Sequence, residues 1–191
     1  MTSSIAAAAI LAIALLYPPS GCAQDKVTIT PGKGLSFAAI GDTGAAFVQA
    51  TGPKTQATKV PVGKDVQILL DAAGFGVTAV CPVPAQGSDL RIAAIIVTNP
   101  AFVIEGNGLH VGSQEAEVLR LMQVPPELDV RVSGYRIIGY PELGIIFSIA
   151  KAVTSITVLA PGDTKTYQDY AGVLGFGMSK SEMLYGTGSL K

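Results

Sequence analysis

Residues 135–159, YRIIGYPELGIIFSIAKAVTSITVL, decide the fold that the sequence predicts. This stretch contains three apolar runs rich in the β-branched and aromatic residues that favour strands, at 135–139, 145–149 and 155–159. Short segments at 141–144 and 150–152 join the runs, and the first of them, PELG, has the Pro and Gly that favour tight turns. The stretch therefore predicts a three-stranded antiparallel meander.

A short amphipathic helix is predicted just before this meander, over residues 114–122. Glu115 and Glu117 place negative charge in its first turn, where the helix dipole favours it. Val118 and Met122 fall on one face of the helix, and a double proline a few residues later prevents its continuation. This part of the chain is therefore expected to form a helix followed by three strands.

The same order of features occurs earlier in the chain. A helix is predicted at 45–50, and apolar strands are predicted at 66–70, 77–80 and 91–98. Gly76 corresponds to Gly144 between two strands, and residues 95–97, IIV, match residues 156–158, ITV, in the last strand of each copy. The recurrence in the same order indicates that one unit has been duplicated.

A third helix start lies near the end of the chain, at residues 177–184, GMSKSEML. Ser179 and Glu182 have the spacing of a capping box. The sequence therefore predicts an α+β protein of two tandem repeats, each a short helix followed by a three-stranded antiparallel meander, plus a truncated third repeat. The predicted modules cover residues 24–104, 105–171 and, for the truncated copy, 172–191.

An export signal is predicted at residues 1–23. Residues 5–16, IAAAAILAIALL, are too few to span a bilayer, which needs about 20 apolar residues, but they match the apolar segment of a signal peptide. The small residues Gly21 and Ala23 predict cleavage before Gln24. The mature protein is therefore expected to be periplasmic or extracellular.

One alternative changes how the exported protein is held. Residues 20–23, SGCA, resemble a bacterial lipobox, in which the cysteine carries the lipid, so Cys22 is a candidate lipidation site. Pro19 stands where that pattern has an aliphatic residue, which favours release over anchoring. Cleavage leaves Cys81 as the one cysteine of the mature chain, so we expect no disulfide framework and a buried, inert thiol.

The composition argues against several classes of partner. Thirteen basic and fourteen acidic residues nearly cancel, so nucleic acid is not an expected partner. No second apolar run long enough to cross a membrane follows the signal. Membrane contact of the mature chain is therefore expected only through a lipid on Cys22.

No catalytic, metal or cofactor site is predicted. The chain has one histidine, His110, and no Gly-x-Ser-x-Gly elbow, which disfavours a serine triad, and it has too few His and Cys residues for a typical zinc site. The alternative enzyme is a small periplasmic hydrolase that uses paired carboxylates, with candidates Glu127, Glu142, Asp163 and Asp169. The chain has no Trp for a sugar platform, which argues against a glycosidase.

Tyrosines concentrate in the second half of the chain. The candidate binding residues are Tyr135, Tyr140, Tyr167 and Tyr170. Tyrosine is enriched at protein interfaces because it combines apolar area with a polar tip. An alternative role is packing at the rim of the meander. If the four side chains are exposed together, they define a binding surface.

Two segments carry a resemblance to a known family. Residues 111–119, VGSQEAEVL, and residues 177–184 resemble the G-M-[ST]-x-x-E-V helix opening of the SmpA/OmlA lipoproteins, which are components of the outer-membrane protein assembly machinery. The helix-plus-meander build is similar to that of beta-lactamase-inhibitor proteins, which carry it in tandem. The resemblance implies an envelope or secreted binding module rather than a catalyst.

The sequence therefore predicts an exported, non-catalytic protein–protein interaction module of the bacterial cell envelope or secretome. Its expected partner is another envelope or secreted protein, bound at an exposed sheet edge or at the tyrosine-bearing face. Two alternatives stay open, namely the carboxylate hydrolase and a fragment of a longer repeat protein.

Overall fold

Two β-sheets dominate the computed structural model, which describes residues 27–62, 65–84, 89–132 and 134–163. With strands numbered along the chain, the smaller sheet contains β1 (Thr28–Thr30), β2 (Gly34–Leu35), β3 (Ala38–Ala39) and β8 (Val103–Ile104). The larger sheet contains β4 (Gln56–Val62), β5 (Asp65–Ala72), β6 (Val77–Pro82), β7 (Ala94–Val97), β9 (Leu128–Val132), β10 (Tyr135–Tyr140), β11 (Ile145–Ile149) and β12 (Val153–Leu159).

The larger sheet is antiparallel throughout and has the strand order β4-β5-β6-β7-β12-β11-β10-β9. Strands β4 to β7 form its first half and strands β9 to β12 its second half. The halves meet where β7 pairs with β12, with Ile96 opposite Thr157. The smaller sheet has the order β3-β2-β1-β8, and its β1–β8 pair is parallel.

Two short helices lie in the described part of the chain, α1 (Gly44–Thr51) and α2 (Glu115–Met122). Thr43 caps α1, because its hydroxyl accepts from the N–H of Ala46 at 3.2 Å. Glu117 reaches back from α2 to accept from the N–H of Gln114 at 2.9 Å, which satisfies a backbone donor that the helix leaves open. None of the described helices has the length and apolar character that a membrane crossing requires.

The main core lies between the helices, the smaller sheet and one face of the larger sheet, which we call the helix face. Phe47 of α1, Val118 of α2 and Ile29 of β1 are buried there against sheet residues such as Ile95 and Phe147. The alternation of side chains along each strand sends the other apolar residues to the opposite face. There a second buried cluster contains Val80, Ala94, Ile96, Ile137, Ile146 and Leu159.

A three-residue 3-10 helix joins the middle strands of each half. Ala73–Phe75 joins β5 to β6, and Pro141–Leu143 joins β10 to β11. Each helix ends at a glycine with a left-handed φ of 64°, Gly76 in the first half and Gly144 in the second. A Cβ atom on Gly144 would lie 2.2 Å from the Leu159 carbonyl oxygen, so the backbones pack too closely there for any side chain.

The predicted fold class is wrong. The protein is mainly β, with one sheet of four strands, one of eight and only two α-helices among the described residues, and it is not a tandem array of helix-plus-meander units. Strands from 24–104 and from 105–171 share the eight-stranded sheet, and the proposed division into modules stays a prediction. Two kinds of strand were missed: the polar edge strands β4 and β9, and strands of two or three residues in the smaller sheet.

Several individual elements agree with the sequence predictions. The helices predicted at 45–50 and 114–122 overlap α1 and α2, and the strand predicted at 145–149 is β11. Helix α2 begins one residue later than predicted, because Gln114 is its N-cap. The export signal at 1–23, Cys22 and the helix start at 177–184 lie outside the described residues.

Candidate functional site: a sheet edge and a cleft

The four candidate tyrosines do not form one described surface. Tyr135 is 36% exposed at the start of β10, whereas Tyr140 at its end is 1% exposed. Because the two residues are five positions apart, their side chains lie on opposite faces of the sheet. Tyr167 and Tyr170 lie outside the described residues, and a binding role for the four tyrosines stays a prediction.

Tyr140 packs into the core on the helix face. Its ring meets that of Phe147 edge-on, with centroids 6.2 Å apart. Its hydroxyl has no hydrogen-bond partner among the described residues, and burial raises the pKa of Tyr140 above its ordinary value. Removal from water therefore stabilises the neutral phenol, as expected for a core residue.

The carboxylate candidates lie in different settings. Glu127 and Glu142 are exposed, Asp163 is half-buried, and Asp169 lies outside the described residues. Within the described ranges, no group of three or more His, Cys, Asp or Glu side chains could hold a metal ion. His110 is half-buried, and its Nδ1 lies 2.8 Å from the carbonyl oxygen of Val111.

Cys81 is fully buried on the helix face beneath α1, as its apolar surroundings in the sequence predict. A Cβ atom on Gly44 of α1 would lie 3.8 Å from its sulfur. Burial raises the pKa of the Cys81 thiol to about 11, so the unreactive protonated form prevails at neutral pH. The prediction of a buried cysteine is confirmed.

An ion network ties α2 to the far end of the larger sheet. Arg136 of β10 donates from Nε to Asp129 Oδ1 of β9 at 2.7 Å, and it also pairs with Glu115 in the first turn of α2. The side chain of Arg136 is only 17% exposed. Its hydrogen bonds hold the pKa of Asp129 below the ordinary value, while the two carboxylates raise the pKa of Arg136. This arrangement fastens the helix to the sheet.

Strand β4 forms the first edge of the larger sheet and is exposed to solvent. Among the described strands only β5 pairs with it, over all seven of its residues. Gln56, Thr58 and Lys59 are exposed, so neither face of the strand is covered along this stretch. A strand that is open on its edge and on both faces is the geometry that β-augmentation uses.

The direction of the backbone groups of β4 follows from its neighbours. The Val83 N–H donates to the Val66 carbonyl at 3.0 Å, so Val66 and every second residue of β5 after it direct their backbone groups towards β6. These are the residues of β5 that lie opposite Pro61, Lys59 and Ala57. Because backbone groups alternate in direction along a strand, the N–H and C=O groups of Ala57 and Lys59 point away from the sheet. Neither residue has another hydrogen-bond partner within the described ranges.

Pro61 independently supports this assignment. It is two residues beyond Lys59, and therefore also at an outward position, where its missing N–H costs the sheet no hydrogen bond. The outward donors and acceptors of β4 thus lie at Ala57 and Lys59, with one further acceptor at Pro61. Lys and Pro on an edge also limit unspecific sheet-to-sheet aggregation. The edge can therefore stay open without joining copies of the sheet into a ladder.

A cleft of about 270 Å³ lies at the beginning of β4. Its walls are the end of α1 at Thr51, the connection Pro53–Lys54–Thr55, and the residues from Ala72 to Phe75 around the first 3-10 helix. The walls are mainly apolar, and the Phe75 side chain is 40% exposed. The hydroxyls of Thr51 and Thr55 lie 2.7 Å apart and donate within this segment, so their hydrogen-bonding needs are met locally.

The size of one side chain distinguishes this region from its counterpart in the second half. Ala72 immediately precedes the first 3-10 helix, and Tyr140 immediately precedes the second. Both belong to the core on the helix face. The tyrosine ring packs edge-on against Phe147, whereas the methyl group of Ala72 lines a cleft.

Comparison with protein-family models, with curated proteins and with solved structures gave no match for this chain. The candidate site therefore rests on geometry alone. No strand was predicted between the helix at 45–50 and the strand at 66–70. The signal that could have identified β4 is the stretch QATKVPV, in which β-branched residues combine with the Lys and Pro typical of edge strands.

Proposed function

We propose that the protein is an exported, non-catalytic protein–protein interaction module of the bacterial cell envelope or secretome. It binds an extended segment of another envelope or secreted protein by adding that segment as a strand to β4. The observation that supports the proposal most strongly is the exposed edge at Ala57 and Lys59, where backbone donors and acceptors point away from the sheet. The predicted signal at 1–23 and the resemblance to envelope lipoproteins support the cellular setting.

The affinity in this mode comes from main-chain hydrogen bonds. An added strand satisfies both N–H and C=O at Ala57 and at Lys59. A main-chain hydrogen bond contributes about 0.5–1.5 kcal/mol within a folded protein, so four such bonds offset only part of the roughly 4–15 kcal/mol that association costs. Side-chain contacts are expected to supply the rest. The signal at 1–23 would bring the protein to the compartment where such partners are found.

The test is Ala57→Pro, with Ala57→Val as the matched control. The proline removes one outward N–H and places a ring against the incoming strand, while Pro61 shows that β4 tolerates proline at an outward position. The control keeps the N–H and favours a strand. The probe is a phage library of random peptides, selected on the immobilised mature chain, and binding of the enriched peptides is then measured by fluorescence anisotropy.

We expect the proline variant to bind the selected peptides about tenfold more weakly than the wild type, which corresponds to about 1.4 kcal/mol. The valine variant should bind them as the wild type does. The proposal is wrong if no peptide is enriched, or if both variants bind equally well. The intact mass of the secreted product tests export separately: loss of residues 1–23 or a lipid on Cys22 supports it, and an unprocessed chain contradicts it.

A further inference from the structure

We propose that the cleft beside β4 takes one apolar side chain of the bound segment, and that Lys54 at its mouth pairs with an acidic residue of the same segment. This inference rests on the proposed function, because the segment must first lie along β4. It names the chemistry of the partner, which is an extended peptide with an apolar anchor residue and a neighbouring Asp or Glu.

The position of the cleft connects it to the edge. The connection Pro53–Lys54–Thr55 forms one wall of the cleft and leads directly into β4 at Gln56. A strand that is added to β4 runs about 4.8 Å from it, so its residues at the Gln56 end pass the mouth of the cleft. The bound segment can therefore remain a strand while one of its side chains enters the cleft.

The size and chemistry of the cleft favour a side chain over a free small molecule. Its volume of about 270 Å³ lies just below the range of roughly 300–1,000 Å³ that is usual for drug-sized ligands. Pro53, Ala72 and Phe75 offer apolar contact, while the hydroxyls of Thr51 and Thr55 already bond within the protein. An apolar side chain therefore enters without leaving a buried polar group unpaired.

Charge indicates the second feature of the segment. Lys54 lines the cleft, and Lys59 lies further along β4. Both are exposed, and neither forms an ion pair within the described ranges. Asp71 of the adjoining strand accepts from the Thr78 hydroxyl at 3.2 Å and forms no ion pair with either lysine. Both ammonium groups therefore stay available to pair with acidic residues of a bound segment.

The second half of the sheet supplies matched controls. Phe75 and Leu143 are the last residues of the two 3-10 helices and are 40% and 42% exposed, but only Phe75 lines the cleft. Phe75→Ala is therefore compared with Leu143→Ala. Lys54→Glu is compared with Lys151→Glu, which reverses an exposed charge in the β11–β12 turn.

The probes are the library peptides whose binding is weakened by Ala57→Pro. We expect these peptides to share an apolar residue and an Asp or Glu at a fixed spacing. Phe75→Ala should weaken their binding about fivefold or more and Leu143→Ala less than about twofold. Lys54→Glu should weaken it about threefold or more, with an effect that shrinks as salt is added, and Lys151→Glu should have little effect.

The outcomes separate the two proposals. If the peptides depend on the N–H of Ala57 but show no shared acidic residue, and Phe75→Ala matches Leu143→Ala, the cleft inference is overturned while edge binding stands. If peptide binding does not depend on Ala57, the edge proposal itself fails. Because Lys54 is exposed, its charge reversal tests the inference even if Phe75→Ala lowers the stability of the fold.

Discussion

The two halves of the larger sheet follow the same backbone course with different side chains. In each half the two middle strands are joined by a 3-10 helix that ends at a glycine with a φ of 64°. Ala72 and Ile68 of the first half hold the positions that Tyr140 and Arg136 hold in the second, counted back from that 3-10 helix. The edge strand of the first half, β4, is exposed on both faces and a cleft lies beside its 3-10 helix, whereas in the second half Val130 of the edge strand β9 is buried and Asp129 of β9 pairs with Arg136.

This difference is the basis of the roles that we propose for the two halves. In the second half, Tyr140 packs against Phe147 in the core, and Arg136 of β10 pairs with Glu115 of α2 and Asp129 of β9. These contacts stabilise the fold. Ala72 lines a cleft, and the outward backbone groups of Ala57 and Lys59 in β4 have no partner among the described residues. Open sheet edges and clefts are common binding sites, because they offer unpaired N–H and C=O groups and apolar surface to a partner.

The largest effect on stability is expected at Gly76 and Gly144, the glycines that end the two 3-10 helices. A Cβ atom on Gly144 would meet the backbone oxygen of Leu159 at 2.2 Å, whereas one on Gly76 would meet the Cβ atom of Asn99 at 2.9 Å and its backbone N at 3.1 Å. The overlap at Gly144 is the more severe of the two. Gly144→Ala should therefore lower the free energy of unfolding by about 2–5 kcal/mol, and Gly76→Ala by about 1–3 kcal/mol.

Urea unfolding measures both values. The control is Gly74→Ala, because Gly74 has no left-handed φ and a Cβ atom there would have no neighbour within 4 Å. That change should be neutral within about 1 kcal/mol. Equal losses at Gly144 and Gly76 would show that the second half is not the more tightly packed of the two.

A smaller effect is expected from the ion network. Arg136→Met should lower the stability by about 1 kcal/mol at neutral pH, after allowing for screening, since the Asp129 side chain is 40% exposed. The folded-state pKa of Asp129 is lowered, so its contribution is present above the unfolded value of 3.8 and is lost as the pH falls through the lower folded value.

The difference in stability between wild type and Arg136→Met should therefore shrink below about pH 4. Urea unfolding of both proteins between pH 7 and pH 3, values chosen to bracket roughly the ordinary carboxyl pKa, gives this dependence. Arg120→Met, at an exposed position in the last turn of α2, is the control and should cost only a few tenths of a kcal/mol. A difference that is constant with pH would mean that Arg136 acts through packing alone.

The parts of the fold that could be predicted are those with local signals. The apolar runs and the Gly and Pro turns of residues 135–159 indicated β10, β11 and most of β12. The edge strand β4 could not be identified from an apolar pattern, because an edge strand that is exposed on both faces has no buried face to require one. The two- and three-residue strands of the smaller sheet are set by tertiary contacts rather than by local pattern.

The candidate site was harder to predict than the strands. Tyr140 was a candidate binding residue because tyrosine suits interfaces, yet the same apolar area suits a core. Its burial depends on which face of the sheet the helices cover, where its ring packs against Phe147, and no local pattern shows that. Ala72 lines the cleft at the position that Tyr140 holds in the second half, and that equivalence becomes visible only when the two 3-10 helices are compared.

Hydrogen exchange at single backbone amides of β4 tests strand addition most directly. In the free protein, the outward amides of Ala57 and Lys59 should exchange fast, while the amide of Thr58, which points to β5, should be protected. A saturating selected peptide should slow exchange at Ala57 and Lys59 by about tenfold or more. Unchanged exchange at both amides, with the peptide bound, would contradict the account.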